Sequence, residues 1–323
     1  MQSSLSAKII EDKILENYQE YAGLFGELQS DFLSGLYKRY YDLESGHLVL
    51  YFVKKAHQSI LRKKDFDLSF DLSFDNFWKN HNETKFDPTT IITTSQETNL
   101  PKETARRKIL ELIKQDVLNK KLKTIAWVPS EEYKKNYDQF IATEIIQISK
   151  ILKFVSHQNN HKISDEEVEI HIKKQFSFFW FHYLNAQLNY IKLCKKKFKD
   201  LDVLFISLQL MVLLVSRIKD LKISHANFFK NPKIIKDIYD NHEATISATT
   251  IAEVTGLPRT TCIRKLNSMM KSKMITQNKL TKGFCLIPEF FSKNLASEKT
   301  NQEVVKIFSE FFFIFLKTVR TKN

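Results

Sequence analysis

Apolar positions recur every three or four residues along most of the chain, a spacing that predicts amphipathic helices rather than strands. Three stretches, 176–198, 201–219 and 304–319, are apolar on all sides and predict helices that are buried against one another. The longest apolar run, 203–215, is shorter than the stretch of about 20 residues that a membrane span needs, so we expect a core helix there. The pattern as a whole predicts a mainly α-helical fold.

A polar segment at 155–162, VSHQNNHK, marks a join between two parts of the chain. Directly after it, Ser164 and Glu167 have the spacing of a capping box, which predicts a helix that continues through residue 184. Farther on, an extended segment from Met274, a polar loop and a return through 284–288 predict a short two-stranded ribbon.

The chain contains an internal repeat with an offset of 157 residues. Residues 94–118 align without a gap on residues 251–275. The coinciding pairs are Thr98 with Thr255, Leu100-Pro101 with Leu257-Pro258, Thr104 with Thr261, and Arg107-Lys108 with Arg264-Lys265. Upstream, Asp42-Leu43-Glu44 matches Asp200-Leu201-Asp202 at an offset of 158. Such a constant offset over several elements indicates one ancestral domain that was duplicated and fused.

We therefore predict two repeated domains, 1–158 and 159–323. Each is expected to contain long flanking helices, a compact three-helix unit with a ribbon (about 74–129 and about 231–288) and a closing helix. The flanking helices are expected to form a shared helical core, which makes the chain a single-chain pseudodimer. A homodimer of the whole chain is equally compatible with this pattern.

The second copy has the sequence pattern of a helix-turn-helix. A short helix ends at Gly256, Leu257 serves as an apolar plug, and Pro258 suits the first position of the next helix. The stretch TIAEVTGLPRTTCIRKLNSMMKSKMI strongly resembles the helix-turn-helix of bacterial winged-helix repressors, including IclR-type and MarR-type regulators. In the first copy Asn99 replaces the turn glycine, a mild departure because Asn tolerates positive φ. The resemblance implies two winged helix-turn-helix domains with small β-wings.

The third helix of each copy is expected to bury one face and present the other to the DNA major groove. Arg107 and Arg264 suit guanine, and Asn267 suits adenine. Residues at the helix N-termini and on the wings suit phosphates or the minor groove. The predicted DNA-binding residues are Lys102, Glu103, Thr104, Arg106, Arg107, Lys114, Lys120, Lys121, Lys123, Arg259, Thr260, Thr261, Arg264, Asn267, Lys271, Lys279 and Lys282.

Charge and composition narrow the function further. The net charge of +13 favours a polyanionic partner, and six Gly among 323 residues disfavour P-loop and Rossmann folds. No nucleotide-binding, hydrolase or metalloprotease motif is present, so we expect no enzyme, no cofactor and no metal ion. Three cysteines without a CxxC pair indicate a reduced, cytoplasmic protein, and the expected DNA binding implies association with the nucleoid. No small-molecule effector site is evident.

The leading hypothesis is a sequence-specific double-stranded DNA-binding protein that regulates transcription, with two recognition helices in adjacent major grooves. A plasmid- or phage-type replication initiator with tandem winged helices is one alternative. A winged-helix adaptor that binds other proteins is another, although the basic outer faces count against it.

Overall fold

The computed structural model describes residues 5–85, 87, 89–220, 244–287 and 298–320. These residues form a mainly helical structure with thirteen helices and two small antiparallel sheets, which confirms the predicted fold class at this level. The predicted helix at 231–241 and the end of the second ribbon at Pro288 lie outside the described residues.

Ten of the described helices lie before residue 221. They are α1 Ala7–Glu16, α2 Tyr18–Tyr40, α3 Leu43–Phe66, α4 Phe77–Glu83, α5 Ile91–Thr98, α6 Lys102–Lys114, α7 Glu131–Gln158, α8 Asp165–Lys174, α9 Phe176–Phe198 and α10 Leu201–Asp220. The other three are α11 Ala248–Thr255, α12 Arg259–Lys271 and α13 Glu298–Arg320.

Each sheet is a two-stranded antiparallel ribbon. Strand β1, Leu118–Lys121, pairs with β2, Thr124–Trp127. Strand β3, Ile275–Gln277, pairs with β4, Phe284–Leu286. One residue from an earlier part of the chain also pairs with each ribbon. Thr89 forms an antiparallel bridge to Ile125 of β2, and Ile246 forms one to Phe284 of β4.

The chain divides into two compact units. Unit 1 comprises Met1–Lys38 and Cys194–Ser309, and unit 2 comprises Arg39–Leu193 and Glu310–Asn323. These units follow spatial contacts and not the order of the sequence, because the N-terminal helices group with the second half of the chain. The predicted repeat boundary at 158/159 concerns the sequence and stays a prediction.

The core of unit 2 is rich in aromatic rings. On α9, the indole nitrogen of Trp180 donates to the Tyr137 hydroxyl at 2.8 Å, and the Tyr183 hydroxyl donates to Glu144 at 2.6 Å. On α3, His57 is fully buried and stacks on Phe77 with ring centroids 4.7 Å apart. The buried polar atoms of Trp180 and Tyr183 are thus hydrogen-bonded, as a low-dielectric interior favours.

The core of unit 1 is built around α10. All residues from 203 to 210 are buried, including the polar Ser207 and Gln209, which confirms the predicted core helix. The amide of Gln209 donates to the Ser30 hydroxyl of α2 at 2.9 Å. Gly26 permits a close approach of the two helices, because a Cβ there would lie 3.0 Å from a Val212 methyl group.

Two local predictions need correction. The helix expected from Ser164 to residue 184 begins with the predicted capping box but is interrupted at Gln175. At this break, backbone groups of the helix bond to the loop before α4. Phe74 N donates to Lys173 O at 2.9 Å, and Ser177 N donates to Leu72 O at 3.1 Å. Pro258 is the N-cap of α12 and not its first helical residue.

Candidate nucleic-acid interface

Two segments, 89–121 in unit 2 and 246–277 in unit 1, have the same order of elements at an offset of 157 residues. Each begins with a helix of eight residues whose N-cap is a hydroxyl residue, Thr90 or Ser247. Each short helix ends at a left-handed residue, Asn99 with φ 52° or Gly256 with φ 74°. Both left-handed positions were predicted and are confirmed.

After the turn, each segment continues through a buried leucine and a proline into a helix of 13 residues, α6 or α12. The predicted inner faces are confirmed as buried. They consist of Ala105, Ile109 and Leu112 in α6, and of Cys262, Leu266 and Met269 in α12. The opposite faces are therefore left for solvent or a ligand.

A lysine on the flank of each long helix is held by two carboxylates. In unit 2, Lys108 Nζ donates to Asp42 and lies 3.5 Å from Glu44. In unit 1, Lys265 Nζ donates to Asp200 and lies 3.2 Å from Asp202. We call these two groups the lysine–carboxylate clusters. Each one fixes its long helix to the N-terminus of the preceding core helix, α3 or α10.

In the first cluster, the pKa of Asp42 reflects its burial and its contacts with Lys108 and Ser45. Burial alone would raise the pKa of Asp42, but hydrogen bonds from Lys108 and Ser45 outweigh it and hold the pKa below its usual value. Both halves of each cluster were recognised as repeated motifs, but their pairing was not predicted. The signal was available, because the Asp-Leu-acid motif and the Arg-Lys motif recur together in both copies.

Nearly all of the predicted DNA-binding residues are exposed. Thr104 and Thr261 are half-buried, and the other predicted residues on both helices and both ribbons face solvent. On α6, Arg106 lies 3.5 Å from Glu103 in an exposed ion pair. On α12, Arg259 Nε donates to the Thr249 hydroxyl at 3.3 Å, so this arginine also contacts the preceding helix, α11.

A groove of about 910 Å³ lies along the outer face of α12. One wall contains the predicted residues Thr260, Arg264, Asn267 and Lys271 together with Ile263. The other wall comes from the corner between α9 and α10, and its residues are Phe198, Asp200 and Val203. No local pattern indicates this second wall, because its residues are about sixty positions away along the chain.

The ribbons place their lysines on exposed turns. Lys120 and Lys121 lie on β1 and Lys123 lies in the turn that follows it, while Lys279 and Lys282 lie in the loop between β3 and β4. Each ribbon is joined to the preceding long helix by an equivalent hydrogen bond. Val117 N donates to Leu112 O at 3.0 Å, and Met274 N donates to Met269 O at 2.9 Å.

The cysteines and histidines do not form a reactive centre in the described residues. Cys194, Cys262 and Cys285 are buried thiols, and burial raises the pKa of Cys285 to about 11, so its thiol is protonated at neutral pH. His157 Nε2 lies 3.2 Å from the Ile163 carbonyl oxygen. Within the described ranges no group of three or more His, Cys, Asp or Glu side chains could hold a metal ion.

No protein-family model, no curated protein and no solved structure matches this chain. Among the described helices, none has the length and apolar character needed to cross a membrane.

Proposed function

We propose that this protein binds double-stranded DNA in a sequence-specific manner and regulates transcription. The observation that carries the proposal is the pair of 13-residue helices, α6 and α12. Each follows a left-handed turn, buries one apolar face, exposes a basic face and leads into a lysine-bearing ribbon. This order of elements supports a winged helix-turn-helix, a motif in which the exposed helix enters the major groove.

The exposed residues divide into two kinds of contact. Arg107 and Arg264 lie mid-helix on the outer faces, where a guanidinium can form two hydrogen bonds with guanine O6 and N7. Asn267 lies one turn after Arg264 and suits adenine. Lys102 and Arg259 are the first residues of their helices, where they suit phosphates and set the orientation of the helix on DNA.

The charge of α12 supports this assignment. It contains four basic residues and no acidic one. Of these, Lys265 is neutralised by its lysine–carboxylate cluster, while Arg259, Arg264 and Lys271 are exposed. A helix surface with only positive charges attracts phosphates over roughly the Debye length of 8–10 Å.

The test begins with duplexes selected from a random pool by the full-length protein. Affinity for the best duplex should fall steeply between roughly 50 and 200 mM salt, because phosphate contacts release counterions. Arg264→Ala and Arg107→Ala should each reduce discrimination at one base position by about 1–3 kcal/mol. Lys150→Ala removes an exposed positive charge from α7 and is the matched control, with unchanged discrimination.

Two results would contradict the proposal. One is the absence of DNA binding at about 50 mM salt, where non-specific electrostatic affinity is high. The other is equal weakening on every duplex in both arginine variants, which would make these residues phosphate contacts. The regulatory part is tested by mapping the bound genomic fragments and measuring transcription from the adjacent promoters with and without the protein.

The groove along α12 favours a second candidate function, that of a protein-binding adaptor. It is concave and partly apolar, with Ile263, Val203 and Phe198 in its walls. An adaptor would bind its partner with a weak salt dependence, whereas DNA binding is salt-sensitive. The basic residues in the same groove make DNA the better-supported ligand.

A further inference from the structure

The tip of each ribbon carries a leucine that is almost completely exposed. Leu122 has 95% of its surface accessible and Leu280 has 79%. Exposed lysines flank both leucines, Lys121 and Lys123 in the first ribbon, and Lys279 and Lys282 in the second. Single exposed apolar side chains are common on protein surfaces, but here the same combination, one leucine between exposed lysines, recurs at both ribbon tips.

The backbone at the first tip is also unfavourable for a leucine. Lys121 pairs with Thr124, so Leu122 and Lys123 form a two-residue turn in which Leu122 has φ 56°. Glycine or asparagine ordinarily takes such a position, because a side chain in the left-handed region is strained. Leu122 is therefore disfavoured by its backbone conformation and gains no compensating burial.

At the second tip the loop is held in one conformation by Asn278. Its side-chain oxygen accepts hydrogen bonds from Leu280 N at 2.8 Å and Thr281 N at 2.9 Å. Its backbone nitrogen donates to Gly283 O at 2.8 Å. The loop thus presents Leu280 on an ordered turn, with its side chain in solvent.

We propose that Leu122 and Leu280 are wedges that enter the DNA minor groove and partly unstack a base step, so that binding bends the duplex. The flanking lysines contact the phosphates on both sides of the groove. Proteins that kink DNA insert single apolar side chains in this way, with basic residues around them. The inference rests on the proposed DNA binding and adds a change in DNA shape to it.

DNA accounts for these tips better than a lipid bilayer does. Burial of a single leucine supports a dissociation constant of roughly 10 mM, which is too weak to anchor a protein to a membrane. On DNA the leucine adds to contacts from the helix to which each ribbon is joined by the hydrogen bonds of Val117 and Met274. A few lysines and one apolar group per ribbon match a groove lined by phosphates.

The experiment uses the full chain with Leu122→Asn, Leu280→Asn and the double variant. Asparagine tolerates positive φ, so Leu122→Asn removes the wedge without straining the turn. Leu68→Asn is the matched control, because Leu68 is equally exposed in a loop outside the ribbons. The probe is a duplex of roughly 40 base pairs with repeated TA steps, which kink easily. It carries dyes at both ends and 2-aminopurine within the TA steps.

The native protein should shorten the end-to-end distance, corresponding to a bend on the order of 20–90°, and raise 2-aminopurine fluorescence. Each single variant should lower both signals and weaken binding about tenfold, and the double variant should abolish both signals. Leu68→Asn should behave as the native protein does. Unchanged bending and fluorescence in the double variant, with DNA still bound, would overturn the wedge.

The two proposals fail in distinguishable ways. If the native protein binds no duplex at low salt, the proposed function itself fails and the wedge fails with it. A parallel sedimentation with vesicles of equal phosphatidylserine and phosphatidylcholine tests the membrane. Vesicle binding that the double variant loses, while DNA bending stays unchanged, would assign the leucines to a lipid surface and overturn the wedge.

Discussion

The segments 89–127 and 246–286 share one backbone plan and differ on their surfaces. Both have the hydroxyl N-cap, the left-handed turn, the buried leucine, the three-residue apolar stripe and the lysine–carboxylate cluster. On the outer faces, Glu103 and Arg106 of α6 stand where α12 has Thr260 and Ile263. The shared features are those that the fold needs, and the features that differ are those that a ligand would meet.

The two segments should therefore respond alike in their interiors and differently on their surfaces. Substitutions of equivalent buried residues should have equal effects on stability in the two segments. Substitutions on the exposed faces should have unequal effects on DNA binding. The exposed face of α6 carries the Glu103–Arg106 ion pair, which partly neutralises its charge, whereas α12 contains no acidic residue.

The lysine–carboxylate clusters give the largest expected effect. Lys108→Met and Lys265→Met should each lower the free energy of unfolding by about 2 kcal/mol, because two carboxylates lose their cation. The value is below that of a fully buried pair, since Asp42 and Asp200 are each 38% exposed. Urea unfolding followed by circular dichroism measures the loss. Adding Asp42→Asn, which keeps the N-cap of α3, should restore part of it in the Lys108 variant.

Equal losses at the two lysines would support the shared plan. A loss at only one of them would show that the segments are held to their cores in different ways. A gain in stability at either lysine would contradict the role of the cluster.

Two buried histidines, His57 and His81, should make the stability of unit 2 depend on pH. Burial lowers the pKa of His57 well below 6.5, and it lowers that of His81 to about 4. Between those values and 6.5 the unfolded chain binds protons that the folded unit does not, so stability falls as pH falls. The slope is about 1.4 kcal/mol per pH unit for each histidine, and it disappears above pH 6.5. At an offset of 158, His57 falls on Val215 of unit 1, a buried apolar residue.

Urea unfolding at pH 7 and pH 5 measures this slope, with His57→Leu as the matched variant. The substitution should reduce the slope by the contribution of one histidine. An unchanged slope would mean that His57 takes up a proton in the folded state.

The left-handed turns should respond to smaller changes. Gly256→Ala should cost about 1 kcal/mol, because φ is 74° and alanine is strained there. The space itself is open, since a Cβ would lie 3.7 Å from Tyr37. Gly256→Asn should cost less than alanine, as Asn99 holds the same position in the other segment. Thermal unfolding of the two variants checks this order, which the reverse result would refute.

The smallest effect is expected when the residues at the equivalent exposed positions 103 and 260 are exchanged. Glu103→Thr should raise DNA affinity about fivefold at low salt and Thr260→Glu should lower it by a similar factor. Both should change stability by less than about 0.5 kcal/mol, because the Glu103–Arg106 pair is exposed. Fluorescence anisotropy with one duplex measures both variants. Identical affinities would show that this position does not approach DNA.

Much of the helix-turn-helix pattern could be predicted because its signals are local. The period of apolar residues identified the inner faces of α6 and α12, and Asn99 and Gly256 marked the left-handed turns. The break at Gln175 could not be predicted in this way. It depends on hydrogen bonds from Phe74 and to Leu72, about a hundred residues earlier in the chain.

The candidate site likewise has features that follow from local sequence and features that depend on distant contacts. Helical spacing alone identified the apolar faces of α6 and α12, and the residue types marked the basic positions on the helices and ribbons. The contact of Lys108 with Asp42, and the wall that Phe198 and Val203 form beside α12, became visible only in the folded structure. These are properties of packing between distant segments, and no local pattern encodes them.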